Sequence, residues 1–321
     1  MQTRKTVFAE LIWALVAVVV LNWLLPSILN AYFYHSLSSV LVSLSSGVLS
    51  LLIAISYMVL RTIKERRYCE VLGMDFVPQK ETSMSVGEIS LWSMTSGAAL
   101  FITSQLFTNA FFAFANGHEG SVASYPSFIQ VNDISIIAAW IFVYALLPAV
   151  SEEFLYRGVI WGGISRKNSI VAFILSCILF SLAHGSISQS VQALLNGLAW
   201  CTLYSLTGSL AAPCIAHFIY NLLGVLVTSV ILPPYSIIDL TYQFSSAEEY
   251  TTAGIGLLGL GMLSAAALVC VYYMLARRSQ TIGAKKEKII QRLNVTEYFL
   301  IIVLVCLQAG LFISILMQGA I

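Results

Sequence analysis

The sequence predicts an all-α fold: a polytopic bundle of about nine transmembrane helices, with the N-terminus cytoplasmic and the C-terminus outside. Three observations predict it: an apolar composition, recurring apolar runs of bilayer-spanning length, and basic residues confined to alternate connectors. Of the 321 residues, 59% are hydrophobic and only 10% charged, against about 25% charged in a typical soluble protein. No soluble fold of this length can hide that much apolar surface, so the bilayer acts as the solvent.

The runs are taken in chain order. The first, 7–33, follows Arg4 and Lys5. It is longer than the 7–15-residue core typical of a signal peptide and reads as a retained span. The second and third, 37–60 and 88–114, are separated by a basic connector. The fourth, 134–164, carries an unusual charged segment described below. The fifth and sixth, 170–185 and 190–206, are short and joined by a tight connection at 186–189. The seventh, eighth and ninth, 210–231, 252–276 and 295–317, complete the set. The longest connectors, 61–87, 115–133, 232–251 and 277–294, leave no room for a soluble domain. The chain is therefore read as a single membrane domain, 1–321, divided into spans 1–3 (1–133), a core of spans 4–7 (134–228) and spans 8–9 (229–321).

Charge tests this map. With the N-terminus inside, the inside segments hold Arg4 and Lys5; Arg61, Lys64, Arg66, Arg67 and Lys80; Arg166 and Lys167; and Arg277, Arg278, Lys285, Lys286, Lys288 and Arg292. Those are 15 of the 16 basic residues. The outside connectors carry Glu119, Asp133, Asp239, Glu248 and Glu249 instead. Basic residues are retained on the cytoplasmic side during insertion, and an error of one span would scatter them. The basic connector 277–292 reads as a topology determinant lying on anionic lipid, with docking of a cytoplasmic partner as the alternative; a regulatory membrane partner is a separate expectation. A net charge of +1 offers no global case for nucleic acid binding. The six cysteines form no CxxC pair and read as small buried hydrophobes, with neither a disulfide framework nor a zinc–thiolate site.

The remaining base, Arg157, lies within span 4 beside two carboxylates, and charges inside a membrane are functional candidates. In Glu152-Glu153-Phe154-Leu155-Tyr156-Arg157, neighbouring residues on a helix point about 100° apart. Glu153 and Arg157 are i, i+4 and suit an ion pair, which leaves Glu152 free. Span 5 ends Phe180-Ser181-Leu182-Ala183-His184, and span 7 contains His217-Phe218-Ile219-Tyr220-Asn221. Each pair, Phe180/His184 and His217/Asn221, projects from one side of its helix. Taken singly, these are also what helix-gluing polar residues look like. Their coincidence is what carries weight. The loop at Arg166–Lys167 makes spans 4 and 5 an antiparallel hairpin. At about 1.5 Å per residue, Glu152 and His184 then lie nearly level, roughly 21–26 Å from the loop. His217 is shallower, about 12 Å into its span, so the helices must be offset or tilted for all four to meet.

A carboxylate paired with an imidazole can take a proton from water. A second imidazole and a carboxamide can donate to a developing oxyanion. The same Glu and His residues, Glu152, His184 and His217, are the set that zinc would use, although no HExxH motif compels a metal.

These three segments resemble the CAAX-protease and bacteriocin-processing family of membrane proteins, whose pattern is EExxxR, then FxxxH, then HxxxN. All three are complete, in order, each in a predicted span, and the resemblance covers 134–228. It implies an intramembrane endopeptidase of the type II CAAX prenyl kind, acting on a membrane-associated or lipidated protein or peptide; the simple charge asymmetry, for its part, fits a bacterial plasma membrane, and an endoplasmic reticulum protein would look similar. It implies that Glu152 and His184 activate water, that His217 and Asn221 form the oxyanion hole, and that Glu153, Arg157 and Phe180 support them. It implies a metal-free glutamate mechanism, with zinc the lesser alternative. A non-catalytic scaffold or bacteriocin-immunity factor of the same family is the competing expectation.

Overall fold

The computed structural model describes residues 8–18, 20, 39–65, 84–119, 134–165, 167–184, 187–227, 246–281 and 293–319. Among them the chain forms helices and no strands: α1 (Phe8–Val18), α2 (Ser39–Glu65), α3 (Val86–Glu119), α4 (Ile134–Ile164), α5 (Ser169–Leu182), α6 (Ile187–Thr207), α7 (Ala211–Leu226), α8 (Ala247–Thr281) and α9 (Val295–Gly319). Much of the first predicted run, most residues of the connectors 61–87, 115–133, 232–251 and 277–294, and Arg166 lie outside the described residues. So do the charges of those segments, from Arg66 to Lys80 and from Lys285 to Arg292.

Short polar signals start several helices. At α3, Ser85 and Glu88 form a reciprocal cap: Ser85 Oγ accepts from the Glu88 amide at 3.2 Å, and Glu88 Oε2 accepts from the Ser85 amide at 2.9 Å. Asn294 and Glu297 repeat the device at α9, both bonds at 2.8 Å. The Asn168 side chain accepts from the amides of Ile170 and Val171 and opens α5. Between α6 and α7 the chain reverses at Gly208, whose φ of 67° suits a residue without Cβ.

By length and composition, α4 and the segment Ala247–Ser279 of α8 can each cross a membrane. The apolar stretches Leu44–Tyr57, Ser169–Leu182, Ala211–Leu226 and Val295–Gly310 are shorter. In α8 only 11% of the most apolar window is buried inside the molecule. Ile255, Met262, Leu263 and Val269 are among its outward residues. Such a continuous apolar face is stable against lipid and costly in water.

Close approach and buried hydroxyls hold the helices together, as expected where apolar burial cannot drive association. Thr103 on α3 meets Ser264 on α8 at 2.7 Å, and Ser96 meets Tyr272 at 2.6 Å. A Cβ on Gly97 would sit 2.3 Å from the Ala216 carbonyl oxygen, so α3 and α7 touch backbone to backbone beside His217. Two ion pairs join helix ends. Arg278 near the end of α8 reaches Glu88 at the start of α3 at 2.9 Å. Lys167, before α5, is buried against Glu297 at the start of α9.

The fourth helix is not uniformly α. Ile141–Leu146 and Phe154–Trp161 are π-helical. Pro148 follows the first of these and removes a backbone donor from the helix interior. Wider turns of this kind recur at functional sites. The regular rise assumed for the hairpin therefore does not hold along all of α4.

Candidate active site

The first charged motif sits where α4 changes from α to π. Glu153 and Arg157 are completely buried, and Arg157 Nη1 donates to Glu153 Oε1 at 2.9 Å. The other arm, Nη2, donates to the Gly197 carbonyl on α6 at 3.2 Å. The guanidinium also lies 4.7 Å from the centre of the Phe180 ring, a cation–π contact. Arg157 thus ties α4 to α5 and α6 through its planar fork. A Cβ on Gly197 would lie 3.6 Å from Arg157 Nη2, an ordinary contact, so the approach does not itself demand glycine.

Phe180 is the hub of the second motif. Its ring stands edge-on to His184 at 5.0 Å, to His217 at 6.0 Å and to Trp200 at 5.7 Å. His184 was expected within the fifth span, yet α5 ends at Leu182 and His184 lies in the turn beyond it. The helix tightens there, with the His184 amide donating to Ser181 O, three residues back. The His184 side chain then satisfies one of the orphan carbonyls of the helix end: its Nδ1 is 2.9 Å from Phe180 O. A carbonyl only accepts, so Nδ1 carries the hydrogen and the neutral ring keeps its lone pair on Nε2.

The third motif faces the first across α4 and α7. His217 Nδ1 is 3.0 Å from Glu153 Oε1, and its Nε2 is 4.0 Å from Glu152 Oε2. Glu153 therefore holds both Arg157 and His217. Glu152 stays partly exposed, its side chain 32% accessible. The indole of Trp200 stacks on the His217 ring, centroids 4.0 Å apart and planes 19° off parallel. Behind it, Tyr220 donates to or accepts from Ser104 of α3 at 2.9 Å.

Glu152, His184, His217 and Asn221 all line one cavity of about 210 Å³. Phe180 contributes to its lining, while Glu153 and Arg157 stand behind it. The cavity lining thus includes one carboxylate, two imidazoles and one carboxamide from the three motifs, with Glu152 closest to His217 among the contacts given above. Among the described residues no group of three His, Cys, Asp or Glu side chains is gathered so that it could hold a metal ion. Of the expected zinc set, His217 has Nδ1 committed to Glu153.

Residues 134–223 match the family model described as type II CAAX prenyl endopeptidase Rce1-like. The matched segment, less than a third of the chain, is similar to that family. It carries the three motifs and ends just after Asn221, so the resemblance read from the motifs is shown for this segment. The Rce1-like family is one of membrane-embedded proteases. No curated protein and no solved structure matches the chain.

Sequence reasoning passed over one wall of the cavity. Gln189, Gln192, Asn196 and Trp200 on α6 line it together with Pro148 and Tyr220. The α6 residues recur at spacings of three, four and four, one helical face of an otherwise apolar segment. That stripe was the available signal, across the connection 186–189 and the short run 190–206.

Proposed function

We propose that this protein is an intramembrane endopeptidase that hydrolyses a peptide bond of a membrane-associated or lipidated protein or peptide. The observation that carries the reading is the convergence of Glu152, His184, His217 and Asn221, from three separate segments, on one cavity. In this mechanism Glu152, with the free Nε2 of His184, takes a proton from a water molecule. The water oxygen bonds to the scissile carbonyl carbon, and the charge passes to the carbonyl oxygen. Asn221 and His217 donate to that oxyanion. Because His217 Nδ1–H is given to Glu153, donation from Nε2 as well uses the doubly protonated ring, with Glu153 as its counter-ion. Collapse breaks the C–N bond, and the proton held by the carboxyl passes to the departing amine. No step uses a metal.

The same proposal places the chain in the membrane with about nine spans, N-terminus cytoplasmic and C-terminus outside, on the strength of the charge asymmetry. A bacterial plasma membrane suits it. The test compares wild type with Glu152→Gln at matched membrane levels, reading peptide termini in membrane and secreted fractions by mass spectrometry. New termini that depend on Glu152 support the peptidase. Identical termini, with the variant still performing its cellular role, would sink it in favour of a scaffold or immunity factor.

A further inference from the structure

Hydrogen bonds between helices fix which helix ends lie together. Arg278 at the end of α8 pairs with Glu88 at the start of α3, and Ser279 of α8 donates to the Leu206 carbonyl at the end of α6. Ser181 near the end of α5 donates to the Ser190 carbonyl near the start of α6, so α5 starts where α6 ends. Lys167, before α5, pairs there with the start of α9. From this end α3 serves as a ruler. At about 1.5 Å per residue, Gly97 beside Ala216 lies about 14 Å from Glu88, Ser104 with Tyr220 about 24 Å, and Thr108 with Gln192 about 30 Å. The last figure matches the hydrocarbon core of a bilayer, about 30 Å thick. Exposure of the cavity wall rises in the same direction. On α6, Trp200 is 1% exposed and Asn196 5%, whereas Gln192 is half-buried and Gln189 exposed. On α5, Phe180 is buried and His184 half-buried; on α7, His217 is buried and Asn221 half-buried. Toward the other end, Ile160 and Ile164 of α4, Leu203 of α6 and Leu210 before α7 are each no more than 1% exposed and form an apolar floor. Among the described residues, the cavity therefore has its mouth at the α5–α6 turn and is closed toward Arg278 and Lys167.

Charge says which side the mouth faces. Connectors 61–87, 165–168 and 277–294 adjoin the closed end and hold 13 basic residues, whereas 115–133, 186–189 and 232–251 adjoin the mouth and hold none. Basic residues are retained on the cytoplasmic side, so the mouth faces away from the cytoplasm. We infer that the substrate is a polypeptide segment on the non-cytoplasmic side of the membrane, an exported peptide or the outer end of a membrane protein, which enters at the α5–α6 turn and descends along α6 to Glu152 and His184. The chemistry of this inference rests on the peptidase reading. A cytosolic tail would have to cross the buried floor to reach Glu152. The step that supplies the substrate is accordingly translocation or membrane insertion.

The test reads the side of the mouth separately from proteolysis. Full-length Gln189→Cys and Arg277→Cys are expressed in bacterial cells and treated with a membrane-impermeant maleimide before and after the cells are opened, with the unsubstituted chain as background. Gln189→Cys should label fully in intact cells and gain nothing on opening. Arg277→Cys, exposed at the closed end, should label only in opened cells. Gln192→Cys, one turn deeper, should label from the same side as Gln189→Cys and guards against one variant misfolding. In the same cells, the peptide termini lost with Glu152→Gln should all lie in exported or outward-facing segments. Gln189→Cys and Gln192→Cys both protected in intact cells, or Glu152-dependent termini in cytosolic segments, would overturn the inference. Labelling from outside with no Glu152-dependent termini leaves the outward mouth standing and refutes the peptidase reading.

Discussion

Glu152 and Glu153 are neighbours with different surroundings, and the proposed mechanism gives them different work. Glu153 is sealed between Arg157 and His217, so it is a counter-ion and anchor. Glu152 is partly exposed at the cavity and 4.0 Å from its nearest basic nitrogen, His217 Nε2. Glu152→Gln is accordingly expected to abolish proteolysis, by about 10²–10⁴-fold for the loss of the base alone, with the melting temperature almost unchanged. Activity and thermal unfolding measured on one preparation check both halves. Arg157→Lys is expected to behave in the opposite way. A lysine cannot reach Glu153 and the Gly197 carbonyl with one rigid fork. It should destabilise the fold by about 3–5 kcal/mol, the cost of leaving a buried partner unmatched, and lose activity as a consequence. Denaturation that leaves Arg157→Lys as stable as wild type would refute the anchoring role. The i, i+4 spacing made the Glu153–Arg157 pair legible in the sequence. The bond from His217 to Glu153 was not, because it joins residues 64 apart and depends on how α7 is set against α4.

At the scale of helices, what positions α7 is its contact with α3. Gly97 brings the two backbones together at Ala216, the residue before His217. A side chain there must push α7 away, since the atom it meets is a carbonyl oxygen rather than a flexible side chain. Gly97→Val is therefore expected to lower activity strongly, although Gly97 touches no substrate, and to destabilise the bundle by about 1–3 kcal/mol, the usual cost of overpacking. Gly256→Val, a change on α8 where a Cβ meets nothing within 4 Å, is the control and should leave activity intact. Equal activity in the two variants would show that the contact does not position His217. Helix identity was readable from apolar runs and caps: α5, α6, α7 and α9 begin within three residues of the expected starts, 170, 190, 210 and 295. The offset needed for His217 to join Glu152 was foreseen only as a requirement. Its means, a glycine on a distant helix and π-turns within α4, depend on tertiary contacts that periodicity does not encode. The end of α5 was misjudged for a related reason. Apolar character continues to Ala183, while the helix stops where the His184 side chain takes up a carbonyl.

For the molecule as a whole, the matched segment 134–223 does not pack alone. Its helices lean on parts of the chain outside the match: α7 on α3 through Gly97, and the start of α5 on α9 through Lys167 and Glu297. Lys167 and Glu297 are 130 residues apart and both buried, so each neutralises a charge the other cannot leave bare. Removing one partner of such a pair is typically worth 3–5 kcal/mol, whereas replacing both by apolar residues is often neutral. Glu297 also caps α9 by accepting from the Asn294 amide, so its removal carries a further cost of about 1 kcal/mol. Lys167→Met alone is therefore expected to lower stability by about 3–5 kcal/mol, and Glu297→Leu by somewhat more. The double variant should recover most of the loss and fall short of wild type by about the worth of the cap. Neither residue lines the cavity, so the double variant should retain proteolysis where Lys167→Met loses it at elevated temperature. Thermal unfolding of the four proteins in one detergent measures the coupling. Additive losses would mean that α9 is held to the core by its apolar contacts alone, and the single-domain reading of the chain would then rest on the α3–α7 contact.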